Sequence, residues 1–381
     1  MNERAARMTL TGVSEPGHPA LLGAVAQFGA EAVVSRLRSG RIELSDSLAA
    51  RLTRFDVDRE LAMAEKVGAR YVIPGDPEWP AGLADLLESP VLHERGGAPI
   101  GLWLRGPACL AETVERSVAI VGSRSCTSYG SEIAAEMASD VSEAGFTVVS
   151  GAAIGIDGSA HRGCLAARGT TIAVLACGVN RFYPLAHRDL IQRVAHEGLV
   201  VSEAPMGAAP MRIRFLARNR LIAALASGTV VVEAAIRSGA LNTANWAEGI
   251  NRTVMGVPGP VFSEPSAGVH ELIRSRGALL VTRGAEVVEA LAPMGQSTLP
   301  IPRAPERPRD QLTPEQCQVL DAVPASSAAG LASIAHTAGL APATVADALD
   351  VLTRGAFVSA GPSGWRLRRL EGRDASNRRD L

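Results

Sequence analysis

The chain has 381 residues, of which 47% are hydrophobic and 20% charged, so it can form a large core and two or three domains. Its formal net charge of −1 means that nucleic-acid binding would depend on a local basic patch and not on overall charge. The cysteines are scattered without a CxxC pair, which argues against a disulfide framework or a zinc site. With no signal-peptide pattern and no apolar run of ~20 residues, we expect a cytoplasmic protein that does not contact membranes.

The first part of the chain, residues 1–70, is predicted to be a domain of short helices. Leu21 and Val25 recur at helical spacing, and Gly29 and Gly40 interrupt the pattern. Helices joined by glycine turns suit either a DNA-backbone-binding module or a packing and protein-contact domain. The second interpretation is favoured.

The segment 71–292 is predicted to be an α/β domain. It begins with a connector rich in proline, which argues against a long helix, and two short strands are expected there, at 71–73 and 101–104. From 117 onward, strands alternate with helices, the pattern of a doubly wound, mostly parallel sheet. The predicted strands are 117–122, 146–150, 171–176, 199–203, 229–233 and 253–257. Ligands of such sheets bind beyond the carboxyl ends of the strands, so the polar residues there are site candidates.

The first polar cluster follows the strand 118–121. The strand stops at Gly122, and Ser123 and Arg124 lead into a helix predicted to start near Ser128. Free N–H groups and the helix dipole favour an anion at such a turn, and the guanidinium of Arg124 suits phosphate. A plain strand-to-helix turn without a ligand is the alternative.

The second cluster begins with Ser150 and Gly151, where a phosphate or another chain can approach the backbone closely. Asp157 is expected to cap the helix that carries His161, and together they suggest acid–base chemistry. No nucleophile and no metal-ligand set accompany them. We therefore predict no catalytic residue, no metal and no cofactor.

The third cluster is Phe215-Leu216-Ala217-Arg218-Asn219-Arg220, at a helix that continues into apolar residues. Residues two apart do not share a helix face, so one arginine is expected to reach the cleft and the other to meet a neighbouring element. Two solvated surface arginines are the alternative.

The fourth cluster follows the strand 229–233. Ser238 and Gly239 stand where a helix N-terminus offers N–H groups to an anion. Glu233 is placed to hydrogen-bond a sugar or an arginine, and structural pairing with an arginine is favoured.

A proline-rich linker is predicted over 293–312, followed by a small domain over 313–370 and a basic tail over 371–381. A capping box formed by Thr313 and Gln316 starts the first of three helices, and a glycine-punctuated hairpin closes the domain. This order is the winged-helix layout. Protein contact is favoured over DNA contact, because the third helix carries acidic side chains and no basic one between 341 and 353.

Several motifs in a fixed order give this sequence its resemblance to the DNA-processing protein A (DprA/Smf) family, over about 71–290. They are Val118–Arg124, Ser150-Gly151, Gly155–Asp157, Ala160-His161, Tyr183-Pro184, Ser202-Glu203, Arg218–Arg220, Glu233-Ala234, Ser238-Gly239, Thr243-Ala244 and Pro258-Gly259. The flanking layout, with N-terminal helices and a C-terminal winged helix, resembles that family more weakly.

The resemblance implies an extended Rossmann-like fold that binds single-stranded DNA, protects incoming DNA and helps to load the RecA recombinase in natural transformation. The implied partners are single-stranded DNA, RecA, single-strand-binding protein and a second copy of the chain. The implied DNA site centres on the Gly-Ser-Arg turn and the Arg-Asn-Arg segment. With the other turns, the candidate DNA-binding residues are Gly122, Ser123, Arg124, Ser150, Gly151, Arg218, Asn219, Arg220, Ser238 and Gly239.

The chain departs from the family pattern at a few positions. Ile154 stands where the family often has a basic residue, and His187 and His270 stand where it often has asparagine. The loss of a charge beside the pocket weakens phosphate binding or shifts it to other arginines.

A nucleoside-monophosphate phosphoribohydrolase on a related Rossmann-like scaffold is the alternative function. Such enzymes carry a Pro-Gly-Gly turn followed by Gly-Thr and a glutamate. This chain has Pro258-Gly259-Pro260, and Glu233 precedes its glycine turn, which counts against the enzyme. Release of free base from nucleotides would distinguish the two.

Overall fold

The computed structural model describes residues 1–42, 46–293 and 308–368. The described residues belong to two compact units, one within Met1–Leu299 and the other within Pro300–Leu381. Most of the linker predicted over 293–312, and the basic tail predicted over 371–381, lie outside the described residues.

The first unit contains nine strands in its described part, and they include all eight that the sequence predicts. The strands are β1 (Ala69–Val72), β2 (Leu102–Arg105), β3 (Ser117–Val121), β4 (Thr147–Ser150), β5 (Thr171–Val174), β6 (Leu199–Ser202), β7 (Gly228–Val231), β8 (Thr253–Gly256) and β9 (Leu279–Leu280). The helices are α1 (Glu3–Val13), α2 (Pro19–Phe28), α3 (Ala30–Arg38), α4 (Asp46–Arg54), α5 (Val57–Glu65), α6 (Leu110–Val114), α7 (Ser128–Glu143), α8 (Ile156–Ala166), α9 (Arg188–Glu197), α10 (Arg212–Ala224), α11 (Gly239–Gly249), α12 (Glu264–Arg276) and α13 (Gly284–Leu291). The proline-rich connector forms only a short 3-10 helix, Ala81–Leu87.

The nine strands form one sheet in the order β1-β2-β6-β5-β4-β3-β7-β8-β9. All pairings among β3–β9 are parallel, whereas β2 pairs antiparallel with both β1 and β6. The order reverses at β3, which has β4 on one side and β7 on the other. A crevice for a ligand is expected at such a switch point, beyond the carboxyl ends of the strands.

Helices cover both faces of the sheet, as the alternation of strands and helices predicts. Val118 and Ile120 of β3 pack in one core with Met137 of α7. Val121 points to the opposite face and packs with Leu221 of α10. Because successive side chains of a strand alternate between faces, one apolar run supplies both cores.

The N-terminal helices form the helical region that the sequence predicts, and α1 is joined to the sheet by polar contacts. The guanidinium of Arg4 donates to both carboxylate oxygens of Asp76 at 2.9 and 2.7 Å, and the hydroxyls of Thr11 and Tyr71 lie 2.7 Å apart. Within the described residues, no single helix is long and apolar enough to cross a membrane. One pair, α2 and α3, reaches that length only together and is bent by 112°.

The second unit has three helices and a hairpin among its described residues. They are α14 (Pro314–Ala322), α15 (Leu331–Ala338), α16 (Pro342–Arg354), β10 (Val358–Gly361) and β11 (Gly364–Leu367). The predicted capping box of Thr313 and Gln316 is present. Val345, Leu349 and Leu352 of α16 are buried in the core of this unit, as their spacing predicts.

Candidate functional site

A cleft of about 870 Å³ lies beyond the carboxyl ends of β3 and β7, at the switch point of the sheet. The turns after β3, β4 and β7 and the first part of α10 form its walls. Seven of the candidate residues line it: Gly122, Ser123, Arg124, Arg218, Asn219, Ser238 and Gly239. The polar clusters that the sequence predicts after β3, after β7 and on α10 therefore line the same cleft.

Backbone hydrogen bonds hold the Gly-Ser-Arg turn in place, and the side chain of Arg124 extends from it. The N–H of Ser123 donates to the carbonyl of Glu233 at 2.7 Å, and the carbonyl of Ser123 accepts from the N–H of Ile156 at 3.2 Å. A Cβ on Gly122 would lie 2.5 Å from the side chain of Ile156, so only glycine fits there. Arg124 is exposed on this rigid base and projects its charge into the cleft.

Among the described residues Glu233 forms no ion pair with an arginine, so the predicted pairing is wrong. Its carboxylate accepts from the N–H of Thr127 at 2.9 Å and from the Thr127 hydroxyl at 2.6 Å, at the N-terminus of α7. A buried carboxylate is stabilised there by the helix dipole. The N-terminus of α7 therefore already holds a carboxylate of the protein itself, and the positive charge that this turn presents to the cleft comes from Arg124.

Two arginines face one aromatic ring in the cleft. The guanidinium carbons of Arg124 and Arg218 lie 4.9 and 5.8 Å from the centroid of the Phe215 ring. The Tyr183 ring lies 5.6 Å from Phe215 at an interplanar angle of 57°. Cations within about 6 Å of a ring are attracted to its face, so this stack holds positive charge and aromatic surface together.

Sequence reasoning did not assign Tyr183, Arg212, Phe215 or Arg237 to the site, although all four line the cleft. The available signal was the aromatic residue three positions before Arg218, in a chain with only 4% aromatic residues. Residues three apart share a helix face, which places Phe215 beside Arg218.

Arg218 is nearly fully buried, and Gly151 makes room for it. One of its Nη atoms donates to the carbonyl of Val174 at 3.2 Å. A Cβ on Gly151 would lie 1.4 Å from the same atom. Burial lowers the pKa of the Arg218 guanidinium, and the nearby Asp157 partly opposes that shift. Gly151 thus acts by leaving space for the arginine, and not by lining the cleft.

Arg220 and Ser150 also lie outside the cleft. Arg220 is fully buried and donates from Nη2 to Oε1 of Glu203 at 2.7 Å. The Ser150 hydroxyl is buried and donates to the carbonyl of Ile120 at 2.7 Å. As the two-residue spacing predicts, Arg218 lines the cleft and Arg220 meets a neighbouring element. Arg220 and Ser150 therefore have structural roles, through a buried ion pair and a buried hydrogen bond respectively.

Asn219 braces the first turn of α11. Its Nδ2 donates to the carbonyl of Gly239 at 3.3 Å and to Oδ1 of Asn242 at 3.1 Å. The Ser238 hydroxyl accepts from the N–H of Ala240 at 3.3 Å and caps the helix. These contacts fix the position of the helix N-terminus that closes the cleft.

Asp157 and His161 do not form a catalytic pair in the cleft. Oδ2 of Asp157 accepts from the N–H groups of Gly151 at 3.1 Å and Ala153 at 3.4 Å, so it closes the loop before α8 and does not cap the helix as predicted. Burial raises its pKa. His161 lies behind the cleft, where Nδ1 is 2.7 Å from the hydroxyl of Thr171. The described part of the chain contains no group of His, Cys, Asp and Glu that could hold a metal ion.

Because His161 is buried and its pKa is lowered, we expect the stability of the fold to fall at acidic pH. Burial, with smaller contributions from neighbouring cations, lowers its pKa from 6.5 to about 3. Below pH 6.5 the unfolded chain binds a proton that the folded chain does not, so stability falls as the pH falls. We expect the free energy of unfolding at pH 5 to be about 2 kcal/mol lower than at pH 7.5 from this group alone. Urea unfolding of the wild type and of His161→Asn at both pH values measures the difference; equal pH dependence in both would contradict it.

Comparisons with known proteins give one consistent result. The family model described as DNA recombination-mediator protein A matches residues 70–292. A putative DNA processing protein DprA from Mycobacterium tuberculosis is 41% identical over 366 residues, covering 94% of this chain and 93% of the relative. The X-ray structure of DprA from Streptococcus pneumoniae superposes with a TM-score of 0.63 at 28% identity, covering 77% of this chain and 98% of the other. DNA processing protein A from Helicobacter pylori, whose structure is described in terms of its single-stranded DNA binding mode, superposes with a TM-score of 0.50 at 26% identity, covering 58% of this chain and 95% of the other.

Proposed function

Since the chain belongs to the DNA recombination-mediator protein A (DprA/Smf) family, as its motifs predict, we propose that its cleft binds single-stranded DNA. The observation that carries this proposal is the stack of Arg124 and Arg218 with Phe215. Guanidinium groups neutralise phosphates, and an aromatic face stacks with an unpaired base of any sequence. A duplex hides its base faces, so this combination favours a single strand.

The proposal extends to the role of the whole protein. We assign to it protection of incoming DNA and loading of the RecA recombinase in natural transformation, as a cytoplasmic homodimer that also meets single-strand-binding protein. The second unit is assigned as a winged helix that contacts proteins; its three helices and hairpin support this. The role is binding without catalysis. The separation of His161 from the cleft and the engagement of Asp157 with backbone N–H groups support that part.

Arg124→Ala tests the site. We expect the affinity for a single-stranded oligonucleotide to fall about 10-fold at 0.1 M salt, because a hydrogen bond to a charged group contributes about 1.5–3 kcal/mol. The slope of log affinity against log salt should also shrink by about 0.7, the value for one lost phosphate contact on a single strand. Fluorescence anisotropy across a salt titration measures both.

Arg274→Ala is the matched control, because Arg274 lies on α12 with 79% of its side chain exposed and does not line the cleft. It should leave the affinity and the salt slope unchanged. If Arg124→Ala keeps the wild-type affinity and salt slope, the cleft is not the DNA-binding site. If the wild-type protein does not bind single-stranded DNA, the proposed function is wrong.

A further inference from the structure

Large apolar side chains are exposed beside the cleft. Ile154 is 51% exposed, Leu185 78% and Met211 45%. Each lies within two positions of a residue that lines the cleft: Ala153, Tyr183 and Arg212 respectively. A single exposed apolar residue is common on protein surfaces, but several around one cleft indicate a surface that binds a ligand or a partner.

Hydrogen bonds and ring contacts connect the three segments that carry these residues. Nδ1 of His187, two residues after Leu185, lies 3.0 Å from the carbonyl of Ala152, which is in the loop of Ile154. The Tyr183 ring, two residues before Leu185, contacts Phe215. The N–H of Phe215 in turn donates to the carbonyl of Met211 at 3.2 Å. We name Ile154, Leu185 and Met211 the apolar rim.

The charge around the apolar rim favours an anionic partner. The segments that carry it, 151–156, 181–188 and 208–214, contain four arginines, of which Arg214 is paired with Glu15 at 2.7 Å. Asp157 and Asp189 follow directly after two of these segments, and the other three arginines form no ion pair among the described residues. A partner that is apolar in patches and negatively charged between them fits this surface. The unstacked bases of a single strand, joined by phosphates, have that alternation, and the rim is continuous with the stack of Arg124, Arg218 and Phe215.

We infer that the apolar rim seats unstacked bases of the same strand whose phosphates lie against Arg124 and Arg218. The inference rests on the proposed function and assigns the preference for single-stranded over double-stranded DNA to the rim. When a base packs against an aliphatic side chain, its face is removed from water, and this burial contributes a part of the affinity that does not depend on salt. The arginines contribute the salt-dependent part.

The test is a double variant, Ile154→Ser with Leu185→Ser, assayed on a 20-nucleotide oligothymidylate and on a strand of equal length made of abasic spacers. We expect about 10-fold weaker binding to the oligothymidylate with an unchanged salt slope, because burial of an aliphatic side chain against a base contributes up to about 1.5–3 kcal/mol. Binding to the abasic strand should be the same in variant and wild type. Leu87→Ser is the control, since Leu87 is 67% exposed and does not line the cleft.

A second variant tests the rim by gain of function. Ile154→Arg should bind the abasic strand more tightly than the wild type and increase the magnitude of the salt slope by about 0.7, because it adds one phosphate contact.

The outcomes separate the inference from the proposed function. Wild-type binding of the oligothymidylate by the double variant would overturn the apolar rim alone, and would point to a protein partner for this surface. Equal losses on both strands would also overturn it, because the rim would then act on the backbone or on the fold. A wild-type protein that binds neither strand would overturn the proposed function and the rim together.

Discussion

Glu203→Ala is expected to lower the free energy of unfolding by about 3–5 kcal/mol, the cost of leaving a buried charge without its partner. Arg220 is completely buried, and its Nη2 donates to Oε1 of Glu203 at 2.7 Å. Its Nε and Nη1 have no other hydrogen-bond partner in the described part of the chain. The substitution therefore leaves a guanidinium in the core with nothing to neutralise it.

Urea unfolding followed by circular dichroism measures this cost. Glu271→Ala is the matched control, because Glu271 pairs with Arg274 on the surface and such pairs contribute only about 0–1 kcal/mol. The double substitution Glu203→Leu with Arg220→Met should recover most of the lost stability, since replacing both buried charges by apolar groups is often neutral. A loss below about 1 kcal/mol in Glu203→Ala would contradict the structural role of the pair.

The same double variant separates the two arginines of the Arg-Asn-Arg segment. Arg220 does not line the cleft, whereas Arg218 does. Retained affinity for single-stranded DNA in the double variant would therefore exclude Arg220 from DNA contact and leave Arg218 as the one arginine of this segment that lines the cleft. The resemblance to a family cannot make this distinction, because both arginines belong to the same motif.

Much of the fold could be predicted because its signals are local. Apolar runs rich in β-branched residues, such as 118–121, predict strands, and Gly122 marks the point where the chain turns. The capping box of Thr313 and Gln316 is formed by residues three apart, and it is present. Patterns of this kind depend on neighbours in the chain, which the sequence displays directly.

The polar partners within the site could not be predicted, because they come from distant segments. Thr127 and Glu233 are 106 positions apart, yet they form the cap of α7. The sequence predicts that a phosphate can approach the backbone at Gly151, whereas in the structure the guanidinium of Arg218 lies there. The spacing of Arg218 and Arg220 predicts that they diverge, but only the packing of α10 decides which of them faces the cleft.

Gly155→Ala is expected to lower the affinity for single-stranded DNA by about 10-fold while the chain stays folded. Gly155 precedes α8 with φ 88° and ψ −133°, a conformation that residues with a Cβ rarely adopt. A Cβ there would lie 2.3 Å from the carbonyl oxygen of Ser123 and 2.8 Å from that of Arg124. The turn that projects Arg124 would have to move, and the contact of Arg124 with phosphate would be lost at about 1.5 kcal/mol.

The control is Gly23→Ala on α2, which does not line the cleft. A Cβ on Gly23 would have no heavy atom within 4 Å, and its φ lies outside the left-handed region. We expect unchanged affinity there, and a stability loss of about 1–3 kcal/mol for Gly155→Ala from backbone strain. Anisotropy titrations and urea unfolding of both variants measure the two effects. Wild-type affinity in Gly155→Ala would show that the Gly-Ser-Arg turn does not hold the DNA, because the substitution changes the backbone of that turn and leaves every arginine in place.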